Sequence, residues 1–220
     1  MSYAATMIYI NTYLPFVRKL LCITFLTAPL LSCQGNSEPR ALRIAVLGDS
    51  LTAGYDLDEE QAFPARLEKA MRDADWPVTL INAGVSGDTT AAGLARLDWV
   101  LEEQPDVLVI QLGANDAFRG LSPQRAKDNL EQMITRTKEQ NIDVILAGMK
   151  APASLGQDYQ HAFNAIYPAL AEEHDIPLYP FFLEGIAGKS EWNLPDGIHP
   201  NARGVDEMVR RFKPFLLRHL

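Results

Sequence analysis

The 220 residues carry 20 basic and 28 acidic side chains, a formal net charge of −8, with 47% hydrophobic and 22% charged residues. That composition suits one globular domain with a substantial core and excludes a disordered or low-complexity chain. Residues 1–32 hold Arg18 and Lys19 and no acid. The remainder is therefore strongly acidic and has no basic cluster, so nucleic acid is not expected as a partner.

At the N-terminus, Arg18-Lys19 precedes a mostly apolar run, Leu20–Leu31, and then Ser32-Cys33. A positive patch, a short apolar run and a small residue form the layout of a secretory signal. As a helix the run rises only about 18 Å, short of a bilayer core of about 30 Å. The expected organisation is a signal peptide over 1–32, a short polar tether over 33–40 and a globular domain over 41–220. Leu30-Leu31-Ser32-Cys33 resembles a bacterial lipoprotein cleavage box, which makes Cys33 a candidate lipidation site and membrane tether. An ordinary signal cut nearby is the alternative, and Met1 and Met7 are both candidate starts. Either way the chain is expected to be exported, to the periplasm or cell envelope. Both cysteines, Cys22 and Cys33, fall in this segment, so the globular part has neither a disulfide nor a thiolate nucleophile.

The globular chain alternates strand and helix patterns. Leu42–Leu47 is an apolar run expected as a buried strand, followed by Gly48-Asp49-Ser50-Leu51-Thr52-Ala53-Gly54-Tyr55. Ala62–Asp73 has helical spacing, and Val78–Ile81 reads as a second strand ending in Asn82-Ala83-Gly84. Thr89/Thr90 open a helix carrying Leu94, Leu97, Val100 and Leu101, and Val107–Leu112 is a third, continuously apolar strand. Ser122-Pro123 is an N-cap with proline at the first helical position. The helix it opens is expected to bury Ala126, Leu130, Met133, Ile134 and Thr137. Val144–Ala147 is a fourth strand, residues 158–174 a helix, and Leu178–Phe182 a fifth strand. The last helix starts near Asn201, with Pro214 disturbing its end. The alternation implies an α/β fold, a three-layer α/β/α sandwich around a mostly parallel sheet with right-handed crossovers. Ligands of such sheets bind at the carboxyl ends of the strands.

Chemistry-bearing residues do collect after the strands, in Gly48–Tyr55, Asn82–Thr90 (NAGVSGDTT), Gly113–Gly120 (GANDAFRG) and Asp196–Asn201 (DGIHPN). A serine after a strand is either a helix cap or an exposed nucleophile, and Ser50 alone leaves both open. The four blocks together resemble the SGNH, or GDSL, hydrolase family, over everything from about Arg43 to the C-terminus. The SGDT run, Ile166-Tyr167-Pro168 and Pro180-Phe181-Phe182 are similar to its bacterial thioesterase I, lysophospholipase L1 and arylesterase branch. Ala114 departs from the pattern, since many members have a second glycine before the asparagine. The resemblance implies a flavodoxin-like sandwich and a serine hydrolase of carboxylic esters or thioesters, working through an acyl-enzyme without a cofactor or metal. Small acyl esters, thioesters or lysophospholipids are the implied substrates.

The residue types fit those roles. His199 is the candidate base, held in a loop between Gly197 and Pro200, whereas His161 and His174 fall in a helical pattern and His219 adjoins the terminus. Asp196, three residues earlier, reaches the imidazole around that turn and fixes its tautomer. Gly84 and Asn115, with the Ser50 N–H, are the candidate oxyanion donors. Asp49, Asp88 and Asp116 are read as structural carboxylates. Phe118, Leu155 and Tyr159 follow the third and fourth strands and are expected to line the acyl channel. A conventional α/β-hydrolase elbow is disfavoured because Thr52 stands where its second glycine belongs. The alternatives are a carbohydrate O-acetylesterase and a non-catalytic envelope lipoprotein that uses the fold as a binding module. Acyl-chain length and oligomeric state are not encoded in any motif.

Overall fold

The computed structural model describes residues 40–220, so the signal segment, Cys33 and nearly all of the tether lie outside the described residues. Strands β1 (Leu42–Gly48), β2 (Val78–Gly84), β3 (Val107–Gln111), β4 (Asp143–Ala147) and β5 (Leu178–Tyr179) form one parallel sheet in the order β2-β1-β3-β4-β5. The strands are apolar without alternation because both faces are covered: Ile44–Leu47, Val107–Ile110 and Val144–Ala147 are all buried. The expected three-layer α/β sandwich is what forms.

Crossovers place the helices. Helix α1 (Ser50–Ala53) is a single turn after β1, and α2 (Phe63–Arg72) leads on to β2. Helices α3 (Thr90–Ala95) and α4 (Leu97–Glu102) join β2 to β3, and α5 (Ala114–Phe118) follows β3. Helix α6 (Pro123–Glu139) leads to β4, α7 (Gln157–Asn164) and α8 (Ile166–His174) lead to β5, and α9 (Ala202–Leu216) closes the chain. The chain steps from β1 outward to β2, then returns past β1 to β3 and continues to β5. With right-handed crossovers that reversal puts α2 on one face and α3, α6 and α8 on the other. Helix α9 packs on α2, where Phe212 meets Phe63 edge-on with ring centroids 5.5 Å apart, and Phe182 and Tyr179 join the cluster. Each fully buried side chain of this size contributes about 1.5–3 kcal/mol. In the second layer, α6 is capped by the Ser122 hydroxyl and buries the five residues expected of it.

Departures from the sequence reading have local causes. β2 runs through Gly84, which pairs with Gly48, so Asn82-Ala83-Gly84 is strand and not loop. The helix expected from Thr90 to Leu101 is broken at Arg96 (φ −110°, ψ 8°), and the helix expected over 158–174 is broken at Ala165. Pro168 explains the second break, because it has no N–H for the Asn164 carbonyl and its ring crowds that oxygen. β5 stops at Tyr179 because Pro180 cannot donate to the ladder; Phe182 N–H reaches the Gly148 carbonyl instead, at 2.8 Å. Pro214 sits inside α9 without ending it.

Candidate active site

In an open parallel sheet, the crevice for a ligand lies where the strand order reverses, outside the carboxyl ends of the two strands at that point. Here those strands are β1 and β3. Ser50 is the second residue after β1 and Asn115 the second in α5 after β3, so the topology sets them side by side. Asp49 is buried and caps α1, its Oδ1 accepting the Leu51 N–H at 3.0 Å. That cap turns the chain sharply and leaves Ser50 at the helix N-terminus. Among the described residues no hydrogen bond engages the Ser50 N–H.

The DGIHPN loop arrives from the other side. Asp196 Oδ1 accepts the N–H groups of Ile198 (2.8 Å) and His199 (3.0 Å), folding the loop on itself, while Oδ2 lies 2.6 Å from His199 Nδ1. Hydrogen bonds from the His199 ring and from the His199 and Ile198 amides hold the Asp196 carboxyl at about 2, below the ordinary range. An ionised carboxylate only accepts, so His199 Nδ1 carries a proton, and in the neutral imidazole Nε2 is then the acceptor. Nε2 stands 2.9 Å from Ser50 Oγ. Tyr55 stacks on the imidazole, with ring centroids 4.3 Å apart, and restricts its rotation. The sequence reading assigned Tyr55 no role.

Asn115 also faces this point. One hydrogen of its Nδ2 goes to the Asp88 carbonyl at 2.9 Å, which fixes the amide plane, and among the described residues nothing engages the second hydrogen. The three remaining carboxylates are structural, as expected. Asp116 holds the start of α3 through the Thr90 N–H (2.8 Å) and hydroxyl (2.7 Å), and Asp88 pairs with Arg96 at 2.6 Å.

Gly84 is not where an oxyanion donor belongs. Its N–H is taken by Asn82 Oδ1 at 3.0 Å, and a Cβ there would lie 2.3 Å from the Ala53 nitrogen. The glycine lets β2 pass against α1, a packing role that the sequence reading took for an open amide. Three residues on, the Val85–Asp88 turn holds Gly87 at φ +87°, and no hydrogen bond among the described residues engages its N–H.

A groove of about 660 Å³ opens beside Ser50 and His199. Its apolar walls include Leu51, Phe118, Met149, Phe181, Leu183 and Ile198, and Lys150 lies over the Phe181 ring at 4.7 Å. Phe118 is therefore in the groove, but Leu155 and Tyr159 are not among the residues lining it. The Tyr159 hydroxyl is used internally, donating to the Leu121 carbonyl at 2.7 Å, and its ring stacks on the buried Phe163. Leu155 sits in a short turn, Ala153–Leu155, that leads into α7.

The buried Asp49 carries a prediction. Burial raises its carboxyl from the ordinary 3.8 to about 6, and among the described residues its Oδ2 has no hydrogen-bond partner. Between those pH values the folded protein holds a proton that the unfolded chain has released, so stability falls as pH rises from about 4 to 6 and then levels, by about 3 kcal/mol in all. Asp49→Asn keeps the Leu51 cap and removes the charge. The difference in Tm, mutant minus wild type, is expected to grow between pH 4 and pH 7; parallel Tm profiles would show that Asp49 does not titrate there.

Comparison with known proteins agrees with this architecture. The model of the GDSL-like lipase/acylhydrolase family matches residues 46–206. An arylesterase of Vibrio mimicus is 38% identical over 199 residues, covering 90% of this chain and 100% of that protein. The thioesterase 1/protease 1/lysophospholipase L1 of Escherichia coli K12 is 39% identical over 178 residues, 79% of this chain and 84% of that protein. Among solved structures, the crystal structure of TesA matches with a TM-score of 0.77 at 37% identity, covering 81% of this chain and 99% of that one.

Proposed function

The chain belongs to the GDSL-like lipase/acylhydrolase family, and on that premise we propose that Ser50, His199 and Asp196 form its catalytic triad. The enzyme is an SGNH serine hydrolase that cleaves carboxylic esters and thioesters of small molecules. The observation that carries the residue assignment is the aligned chain Ser50 Oγ, His199 Nε2, His199 Nδ1 and Asp196 Oδ2, with contacts of 2.9 and 2.6 Å.

In the mechanism, His199 Nε2 takes the hydroxyl proton as Ser50 Oγ attacks the ester carbonyl. The carbonyl oxygen becomes an oxyanion, held by the Ser50 N–H and the free hydrogen of Asn115 Nδ2. The third donor is assigned to the unengaged Gly87 N–H, in place of Gly84. The protonated imidazole then gives its proton to the departing alcohol or thiol, leaving an acyl group on Ser50. Water enters by the same base catalysis and releases the acid. The apolar groove accommodates an acyl chain, which favours the lysophospholipid, thioester and aryl ester substrates of this branch over acetylated carbohydrate. Export to the envelope, with Cys33 as a lipid anchor, rests on the N-terminal pattern alone.

The test is labelling with a fluorophosphonate probe and mapping of the adduct by mass spectrometry. A single adduct on Ser50, protected by a medium-chain p-nitrophenyl ester, is expected. An adduct elsewhere, or none, overturns the assignment of Ser50 as the nucleophile.

A further inference from the structure

The geometry points to Arg96 as a positioning residue for the oxyanion hole, acting through Asp88. This rests on the catalytic reading of Ser50 and Asn115 above. Arg96 Nε pairs with Asp88 Oδ2 at 2.6 Å, while its Nη2 donates to the Ala83 carbonyl at 2.8 Å and the Gly48 carbonyl at 3.0 Å. Both charged side chains are largely buried, 15% and 12% exposed. One guanidinium thus ties the carboxyl end of β1, one residue before the Asp49–Ser50 turn, to the end of β2 and to the turn that follows it. The same Gly48 carbonyl also accepts the Val85 N–H at 3.0 Å, so the Val85–Asp88 turn is pinned at both of its ends.

Asp88 links this tie to the chemistry. Its side chain holds Arg96, and its main-chain carbonyl holds Asn115 Nδ2 at 2.9 Å. The strand-end carbonyls and the Asp88 carboxylate all present negative charge to one small region, and only a cation with several donors in a planar fork satisfies them together. The backbone is bent to supply it: the helix between β2 and β3 breaks at Arg96 itself, whose side chain reaches back to the sheet. Without the guanidinium, a largely buried carboxylate is left unpaired and turns toward water. Its peptide turns with it, moving the carbonyl that orients Asn115. The oxyanion exists only in the transition state, so the loss is expected in kcat and not in KM.

The test is a double-mutant cycle on p-nitrophenyl butyrate, with Arg96→Lys crossed against Asn115→Ala, at a temperature where circular dichroism shows every variant folded. Arg96→Lys keeps one charge but cannot reach all three acceptors. It is expected to lower kcat about tenfold with KM nearly unchanged, against about 10²–10³-fold for removing the Asn115 donor. In the Asn115→Ala background, the Arg96→Lys penalty is expected to shrink, the mark of two residues acting as a unit, with the remainder carried by the Gly87 N–H that the same turn holds. Asp88→Asn, which leaves the guanidinium on its two carbonyls, is the second variant and is expected to show a smaller loss with the same dependence on Asn115. Equal penalties in both backgrounds, or a loss carried by KM, would overturn the inference and leave Arg96 a purely structural residue. If Asn115→Ala itself leaves kcat intact, the oxyanion-hole reading falls and takes this inference with it; a normal Asn115→Ala loss beside an unaffected Arg96→Lys sinks this inference alone.

Discussion

Replacing Ser50 by alanine is expected to lower kcat for p-nitrophenyl acetate by about 10⁶-fold, the scale seen when a serine nucleophile is removed from a triad. The size follows from what the residue does. In the proposed mechanism Ser50 Oγ becomes the ester of the acyl-enzyme, and its hydroxyl lies 2.9 Å from His199 Nε2. With alanine there, the donors that hold the oxyanion and the groove remain, but no covalent path does. The fold is expected to be unaffected. Ser50 is only partly buried and is the first residue of α1, while the cap belongs to Asp49 and the anchors are the buried Leu51 and Thr52. Removing one oxygen leaves no cavity in the core, and alanine is the better helix former. Equal Tm values with lost turnover and lost fluorophosphonate labelling are the expected result; retained turnover in a purified Ser50→Ala protein would refute covalent catalysis at this position.

The strand runs, the buried face of α6 and the loop position of His199 were readable because each depends on local pattern. Burial on both faces leaves apolar strands, and Ser122-Pro123 supplies a cap and a first-position proline directly before a periodic apolar run. What could not be read depends on partners distant in sequence. Gly84 looked like an open amide because sequence does not reveal that the Asn82 side chain takes its N–H, or that α1 passes against it. Tyr159 looked like a groove residue because it follows β4, yet its hydroxyl is spent on the Leu121 carbonyl. Arg96 did carry a signal. In a helix read from Thr90 to Leu101 it lies three residues after Gly93 and four before Val100, on the face that is buried. A charged residue on an apolar face asks for a partner, and here that partner is Asp88. The helix break that follows is a tertiary demand overriding local periodicity.

Substituting Asp196 by asparagine is expected to cost about 10⁴ in kcat, although the shape of the site is preserved. The two oxygens of Asp196 have separate duties. Oδ1 accepts the Ile198 and His199 amides and holds the loop, and Oδ2 accepts the proton on His199 Nδ1. Asparagine keeps the first duty by placing its carbonyl oxygen on the two amides, which turns its NH₂ toward the ring. An NH₂ donates, so Nδ1 must become the acceptor and the imidazole proton moves to Nε2. Nε2 then meets Ser50 Oγ as a donor and has no lone pair with which to take its proton. The Tyr55 ring, stacked at 4.3 Å, holds the wrong tautomer in the right orientation. The loss is therefore one of chemistry and not of folding: Tm is expected to change little, and the rate of fluorophosphonate labelling to fall in parallel with kcat. Activity within tenfold of wild type would mean that Asp196 serves the turn alone and that His199 finds its tautomer without it.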